Sequence, residues 1–202
     1  YEDDALEKRL RESPFFDPDH IRKPRDAKIS EYETGSGYSI IPEDSGTVLD
    51  FEKVKEAAGK ALKELEEELD LREGGFYSDA DVKSDDPGLK RALETANRYA
   101  GAEIIYRWNG EEEVIDGSLI STWITIDGDE VHLDEEAVRE HVNGLAKKHD
   151  TFGRAREFTA SDGTLHRLKG SYGWWTDRVG ETQELRSGIE TGSRRETETR
   201  AF

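Results

Sequence analysis

The stretch Ala102-Glu103-Ile104-Ile105-Tyr106-Arg107-Trp108-Asn109-Gly110-Glu111-Glu112-Glu113-Val114-Ile115 decides the fold class. Two strand-like runs flank Asn109-Gly110, a dipeptide suited to the positive backbone angles of a tight hairpin turn. Working outward, the same grammar recurs twice. Trp123–Ile126 and Val131–Leu133 flank Asp127-Gly128, and Arg156–Thr159 and Thr164–Leu168 flank a turn at Asp162-Gly163. Tyr38–Ile41 reads as a further short strand, closed by Pro42.

Helical segments lie between the hairpins. Residues 2–12 run from acidic to basic, which matches the helix dipole. Asp50 is a candidate N-cap for a helix reaching about Leu69, with Phe51, Val54, Ala58, Ala61, Leu62, Leu65 and Leu69 on one face. Asp85-Asp86-Pro87 opens another, striped by Leu89, Leu93 and Ala96 and stopped by Gly101. Ser118–Trp123 reads as one helical turn with Trp123 as a core anchor. Asp134 caps a helix to about Lys148, with Ala137, Val138, His141, Val142 and Leu145 inward. A last helix spans about Arg178–Glu190, ends at Gly192, and leaves a polar exit tail. Strands and helices mix without a regular βαβ order. The expected class is therefore α+β, with antiparallel hairpins packed against three to four amphipathic helices. The expected division is residues 1–82 and 83–202.

The segment Gly170-Ser171-Tyr172-Gly173-Trp174-Trp175-Thr176-Asp177 places three aromatics within four residues. Read as a strand, Tyr172 and Trp174 share one face and Trp175 takes the other. Gly173 then leaves open backbone suited to close approach by a ligand or another chain. The plain alternative is a sheet buried on both faces. The segment also aligns without gaps with Tyr38–Gly46, 134 residues earlier: Tyr, two large apolar residues, an acid, and Gly eight after the Tyr. That alignment suggests one and a half repeats of a single unit.

The chain has 202 residues, no Cys, no Met and a formal charge of −18. An acidic field of that size argues against nucleic-acid binding, which rests on Lys and Arg neutralising phosphates. Without Cys there are no disulfides, thiolate nucleophiles or thiolate metal sites; this fits a cytosolic protein or a disulfide-free surface protein of Gram-positive type. No apolar run reaches membrane-spanning length. Lys147–Arg178 is locally basic, with Lys147, Lys148, Arg154, Arg156, Arg167, Lys169 and Arg178 against four acids. It contains the aromatic segment. The candidate contact surface is accordingly Phe152, Arg154, Arg156, Arg167, Tyr172, Trp174 and Trp175, with one tryptophan packing the core and the other left for a ligand.

Catalytic and cofactor motifs are absent. No glycine run has the setting of a phosphate loop or a dinucleotide fingerprint. The five histidines show no metal spacing, so neither metal nor cofactor is expected. Glu43, Asp116 and Asp177, beside apolar strands, are the candidates for paired-carboxylate hydrolysis, but each reads first as a cap or turn residue.

The order of motifs resembles one family over roughly residues 25–202. It comprises Tyr38-x-Ile40-Ile41-Pro42-Glu43-x-x-Gly46-x-x-Leu49-Asp50, Asp85-Asp86-Pro87-x-Leu89, Ile105-Tyr106, Asp116-Gly117, Trp123, Leu133-Asp134-Glu135-Glu136, Asp150-Thr151-Phe152-Gly153, Phe158-x-x-x-x-Gly163 and Tyr172-Gly173-Trp174. It resembles the peptidoglycan-binding region that precedes the catalytic domain of L,D-transpeptidases in Gram-positive-type bacteria. The resemblance implies an extracellular, cell-wall protein, with a membrane anchor before Tyr1 and a catalytic domain after Phe202. In the family the nucleophile is a cysteine in a Ser-x-Gly-Cys type motif with a nearby histidine. Nothing here matches that motif, so no catalytic residue carries over. The implied partners are peptidoglycan, through glycan or stem peptide, and the chain's own catalytic domain. Three functions follow: a non-catalytic wall-associated region of an L,D-transpeptidase, a spacer without a ligand, or a hydrolase using paired carboxylates. The residues after Gly192 depart from the family by lacking the proline and tyrosine of its junction.

Overall fold

The computed structural model describes residues 3–108, 111–171 and 173–197 and is α+β. Its contacts divide into two units, Tyr1–Ser30 with Ile40–Lys90 and Glu31–Ser39 with Arg91–Phe202.

In the first unit, α1 (Asp3–Arg11) leads through a 3-10 turn at Pro14–Phe16 to the small antiparallel pair β1 (Lys28–Ile29) and β2 (Ile40–Ile41). Helix α2 (Phe51–Glu64) follows, and the Asp50 carboxylate accepts from the amides of Glu52 and Lys53. That contact satisfies two of the donors a helix start leaves open. Leu49, Val54 and Phe76 form a buried cluster, with Leu10, Phe16, Leu69 and Leu71 packed around it. The helix stops five residues earlier than its apolar spacing predicts. Leu65 takes the left-handed conformation at φ 59° and is 87% exposed. The carboxylates of Glu64, Glu66, Glu67 and Glu68 would sit at the negative end of the helix dipole, which disfavours further turns. Leu69 and Leu71 reach the same cluster after the chain has turned back.

Helix α3 (Pro87–Ala100) starts in the first unit and continues into the second; Asp86 caps it by accepting from Gly88 and Leu89. Strands β3 (Glu103–Trp108) and β4 (Glu111–Ile115) pair antiparallel, and the Asn109-Gly110 turn lies outside the described residues. The Asp116-capped helix α4 (Gly117–Ile120) and a 3-10 turn at Ser121–Trp123 deliver the buried Trp123. The pair β5 (Ile124–Asp127) and β6 (Glu130–Leu133) precedes α5 (Glu135–His149), capped by Asp134. A fourth antiparallel pair, β7 (Ala155–Thr159) and β8 (Leu165–Lys169), precedes α6 (Arg178–Thr191). Every other residue of β3 faces inward: Ile104, Tyr106 and Trp108 meet Ile115, Ile120, Trp123, Val138, Val142, Leu145, Leu185 and Ile189 in one core.

Six helices form among the described residues, at the segments the sequence marks as helical, and the α+β class stands. Two expectations are corrected. The polar tail is partly a strand: β9 (Arg194–Thr197) pairs in parallel with β3, giving the order β4-β3-β9. Its sequence carries no alternation, because an edge strand is held by backbone hydrogen bonds to β3 and not by an apolar face. Finally, the two stretches read as a repeat differ. Ile40–Ile41 is a strand, whereas Trp174-Trp175 lies outside any strand. Helix α2 begins thirteen residues after Tyr38, and α6 begins six after Tyr172.

Candidate functional site

The site is built on the end of α5 and the turn that follows it. Asp150 is the C-cap of α5, and its Oδ1 accepts from both the amide and the hydroxyl of Thr176 at 2.8 Å. Its Oδ2 lies 3.2 Å from the Arg178 guanidinium. One carboxylate thus ties the helix end to the segment leading into α6. The Trp174 carbonyl accepts from Thr151 and Phe152 at 3.0 and 3.2 Å, and the Trp174 amide donates to the Thr151 hydroxyl at 3.2 Å.

These contacts bring two backbones so close that the residue between them must be glycine. Gly173 has φ +134°, and a Cβ there would lie 2.7 Å from the Phe152 nitrogen and 2.8 Å from its Cα. Gly173 therefore admits the chain's own Thr151–Phe152 backbone, where the sequence suggested space for a ligand or partner. The same docking explains why the segment is not a strand: its hydrogen-bonding groups are taken by a turn and a helix cap.

The tryptophans do separate, though by this docking and not by strand alternation. Trp174 is half-buried against the core of the second unit. Trp175 is 46% exposed and sits beside Phe152, itself 45% exposed, with ring centroids 4.9 Å apart and planes at 46°. Two large rings paired at the surface, each about half solvated, form the aromatic feature of the site. Tyr172 lies outside the described residues.

The basic residues are less available than the charge count implies. The Arg154 guanidinium donates to the carbonyls of Lys147 and Lys148 at 3.0 and 3.1 Å, closing the end of α5. Lys148 pairs with Glu113 and lies 3.8 Å from Glu111; its hydrogen bond to Glu113 raises its pKa. Arg178 is held by Asp150. In the β7–β8 ribbon, Arg156 lies opposite Leu168 and Arg167 opposite Glu157. Successive residues of a strand alternate faces, so Arg156 and Arg167 point to opposite sides of the ribbon. Among the described candidates, Arg156 and Arg167 therefore do not share one face of the ribbon. The ribbon is exposed throughout β7, and Phe158, Leu165 and Leu168 are 56%, 62% and 58% exposed.

The carboxylates considered for hydrolysis are occupied structurally. Glu43 accepts from the amide and hydroxyl of Ser84, Asp116 from Ser118 and Leu119, and Asp177 from Gly180. Among the described residues, no group of three His, Asp or Glu converges as a metal site would, and no helix is long and apolar enough to cross a membrane.

A buried polar pair escaped the sequence reading. The Tyr106 hydroxyl, fully buried, donates to Glu181 Oε1 at 2.5 Å, and Glu181 is 2% exposed. Burial first, and then the Glu181 hydrogen bond, push the Tyr106 pKa above its ordinary value. The available signal is a tyrosine between inward-facing Ile104 and Trp108, since a buried phenol requires a partner. Asp150 was likewise missed as the organiser of the site.

With this geometry in place, likenesses to known proteins are limited. No family model matches the chain, and no curated protein matches it. Two solved structures do. The Ldtfm–avibactam carbamoyl enzyme is 29% identical, over 56% of this chain and 46% of that one, at a TM-score of 0.46. An Enterococcus faecium L,D-transpeptidase with serine in place of a cysteine is 27% identical, over 55% of this chain and 46% of that one, at a TM-score of 0.45. The chain spans less than half the length of each, and part of it is similar to L,D-transpeptidases.

Proposed function

We propose that the chain is a non-catalytic, peptidoglycan-associated region of an L,D-transpeptidase that holds the enzyme against its wall substrate. The observation that carries the reading is the exposed Phe152–Trp175 pair: Phe152 belongs to the Asp150–Gly153 motif that the family resemblance quotes, and Trp175 directly follows the Tyr172–Trp174 motif. Aromatic faces of this size stack on sugar rings, and their burial on binding supplies most of the affinity. The chain contains no cysteine, so it brings none of the family's nucleophile. The place of action is the outer face of the bacterial membrane, in the cell wall. The reading of a ligand-free spacer drew on the repeat, and the two stretches do not share a structure.

The test is sedimentation with purified cell-wall sacculi. Wild-type protein is expected to co-sediment saturably, and the Phe152→Ala/Trp175→Ala variant to lose at least tenfold in affinity while keeping its far-ultraviolet circular dichroism. Equal sedimentation of a folded double variant, or no sedimentation of wild type, overturns the proposal.

A further inference from the structure

We propose that a lysine-lined cavity along α2, in the first unit, binds a phosphate-bearing anion. The cavity is open and has a volume of about 660 Å³. Lys53, Lys55, Lys60 and Lys63 line it, with Gly59 and Phe76 supplying apolar surface. Glu56 is the one acid among the described lining residues, which make the cavity cationic within a chain of charge −18.

The four lysines are not equivalent. Lys53 Nζ lies 3.7 Å from Asp50, and Lys55 Nζ lies 2.5 Å from Glu7. Lys60 and Lys63 have no ion-pair partner among the described residues. Ammonium groups three residues apart share a helix face and repel one another, so an anion between them relieves a standing cost. Placement in the last turns complements the helix dipole and accounts for a positive charge at Lys63. It does not account for a cavity with Phe76 at its wall.

Gly59 is the second observation. It is buried within α2 and lines the cavity. A glycine inside a helix costs about 1 kcal/mol relative to alanine. Gly59 therefore stands at the cavity wall at a position where the helix alone would favour a residue with a side chain.

The kind of cation is compatible with phosphate. The four cations among the described lining residues are lysines. A guanidinium fork suits planar carboxylates and phosphates alike, whereas ammonium groups act as point charges that phosphate oxygens pointing in several directions can share. The volume falls in the range of small-molecule sites, and Phe76 offers apolar contact to an organic substituent. The same chemistry is presented by a small phosphorylated compound and by a phosphodiester polymer.

Two probes separate these sources: pyrophosphate, and a glycerol-phosphodiester oligomer of defined length. Each is titrated at about 0.15 M salt, where screening beyond about 8 Å weakens repulsion from distant carboxylates, and binding is read by amide chemical shifts. Saturable shifts at residues 53–63 and 76 are expected. Lys60→Gln/Lys63→Gln is expected to weaken binding at least tenfold, and Lys60→Arg/Lys63→Arg to lose less. Saturation with pyrophosphate assigns a small phosphorylated ligand; saturation with the oligomer alone assigns the polymer. If neither probe saturates, or if the folded glutamine variant binds as wild type does, the proposal is overturned.

Discussion

Gly173→Ala isolates the contact on which the aromatic pair depends. The new Cβ would stand 2.7 Å from the Phe152 nitrogen and 2.8 Å from both the Phe152 Cα and the Thr151 carbonyl carbon. All three are backbone atoms, so no side chain can swing aside. Ordinary van der Waals contact begins near 3.4 Å, and gaining that distance means shifting a backbone pinned by the two hydrogen bonds to the Trp174 carbonyl and by the Asp150–Thr176 bonds. Holding alanine at a glycine-favouring φ costs about 1–3 kcal/mol. Overpacking against fixed atoms adds about 1–3 kcal/mol. The expected loss is about 2–6 kcal/mol, read as the shift in urea midpoint at constant slope. Gly153→Ala is the control: its φ is +69°, but nothing lies within 4 Å of its Cβ position, so only a conformational cost of about 1 kcal/mol is expected. Trp175 fluorescence should change in the Gly173 variant and not in the Gly153 variant. If Gly173→Ala costs no more than Gly153→Ala and leaves the fluorescence unchanged, the argument from close backbone approach fails.

Further outcomes follow from the buried polar groups. Asp150→Ala removes the acceptor for the Thr176 amide and hydroxyl, and a loss of about 2–3 kcal/mol in denaturant unfolding is expected. Tyr106→Phe takes a donor from the buried Glu181 and is expected to cost about 1–3 kcal/mol, read the same way. Tyr106 also sets an alkaline limit: the fold raises its pKa, so its contribution is whole below the unfolded value of about 10 and declines as pH rises above it. The phenylalanine variant should show a shallower alkaline decline in thermal unfolding temperature. Burial lowers the pKa of His141, against a smaller opposing effect of Glu113. Its contribution is present above the unfolded pKa of about 6.5 and declines as pH falls below it, so His141→Gln should flatten stability between about pH 7 and pH 5.

Much of the fold was legible because the governing signals are local. Asp50, Asp86 and Asp134 cap their helices through amides two and three residues away. Gly192 ends α6 at φ +66°, a conformation that costs glycine little. The β5–β6 and β7–β8 pairings follow turns containing Gly128 and Gly163, both at positive φ. The candidate site was legible only in part. Trp174 is half-buried against the core, and Trp175 is exposed beside Phe152. Arg154 and Arg178 looked like free cations because charge counting takes no account of helix carbonyls or of Asp150.

The remaining features depend on partners far apart in the chain. Strand β9 exists because β3, about ninety residues earlier, offers it an edge; Arg194-Arg195-Glu196-Thr197 has no strand pattern of its own. Tyr106 and Glu181 are 75 residues apart, and their bond forms only when α6 packs on the core beside β3. Gly173 was recognisable as a place of close approach, but what approaches is the backbone after α5, brought there by Asp150 across 26 residues to Thr176. Capping and turn chemistry act within a few residues and can be read along a line. Edge pairing, burial of a polar pair and docking of one turn on another depend on which surfaces meet, and the positions of the elements determine that.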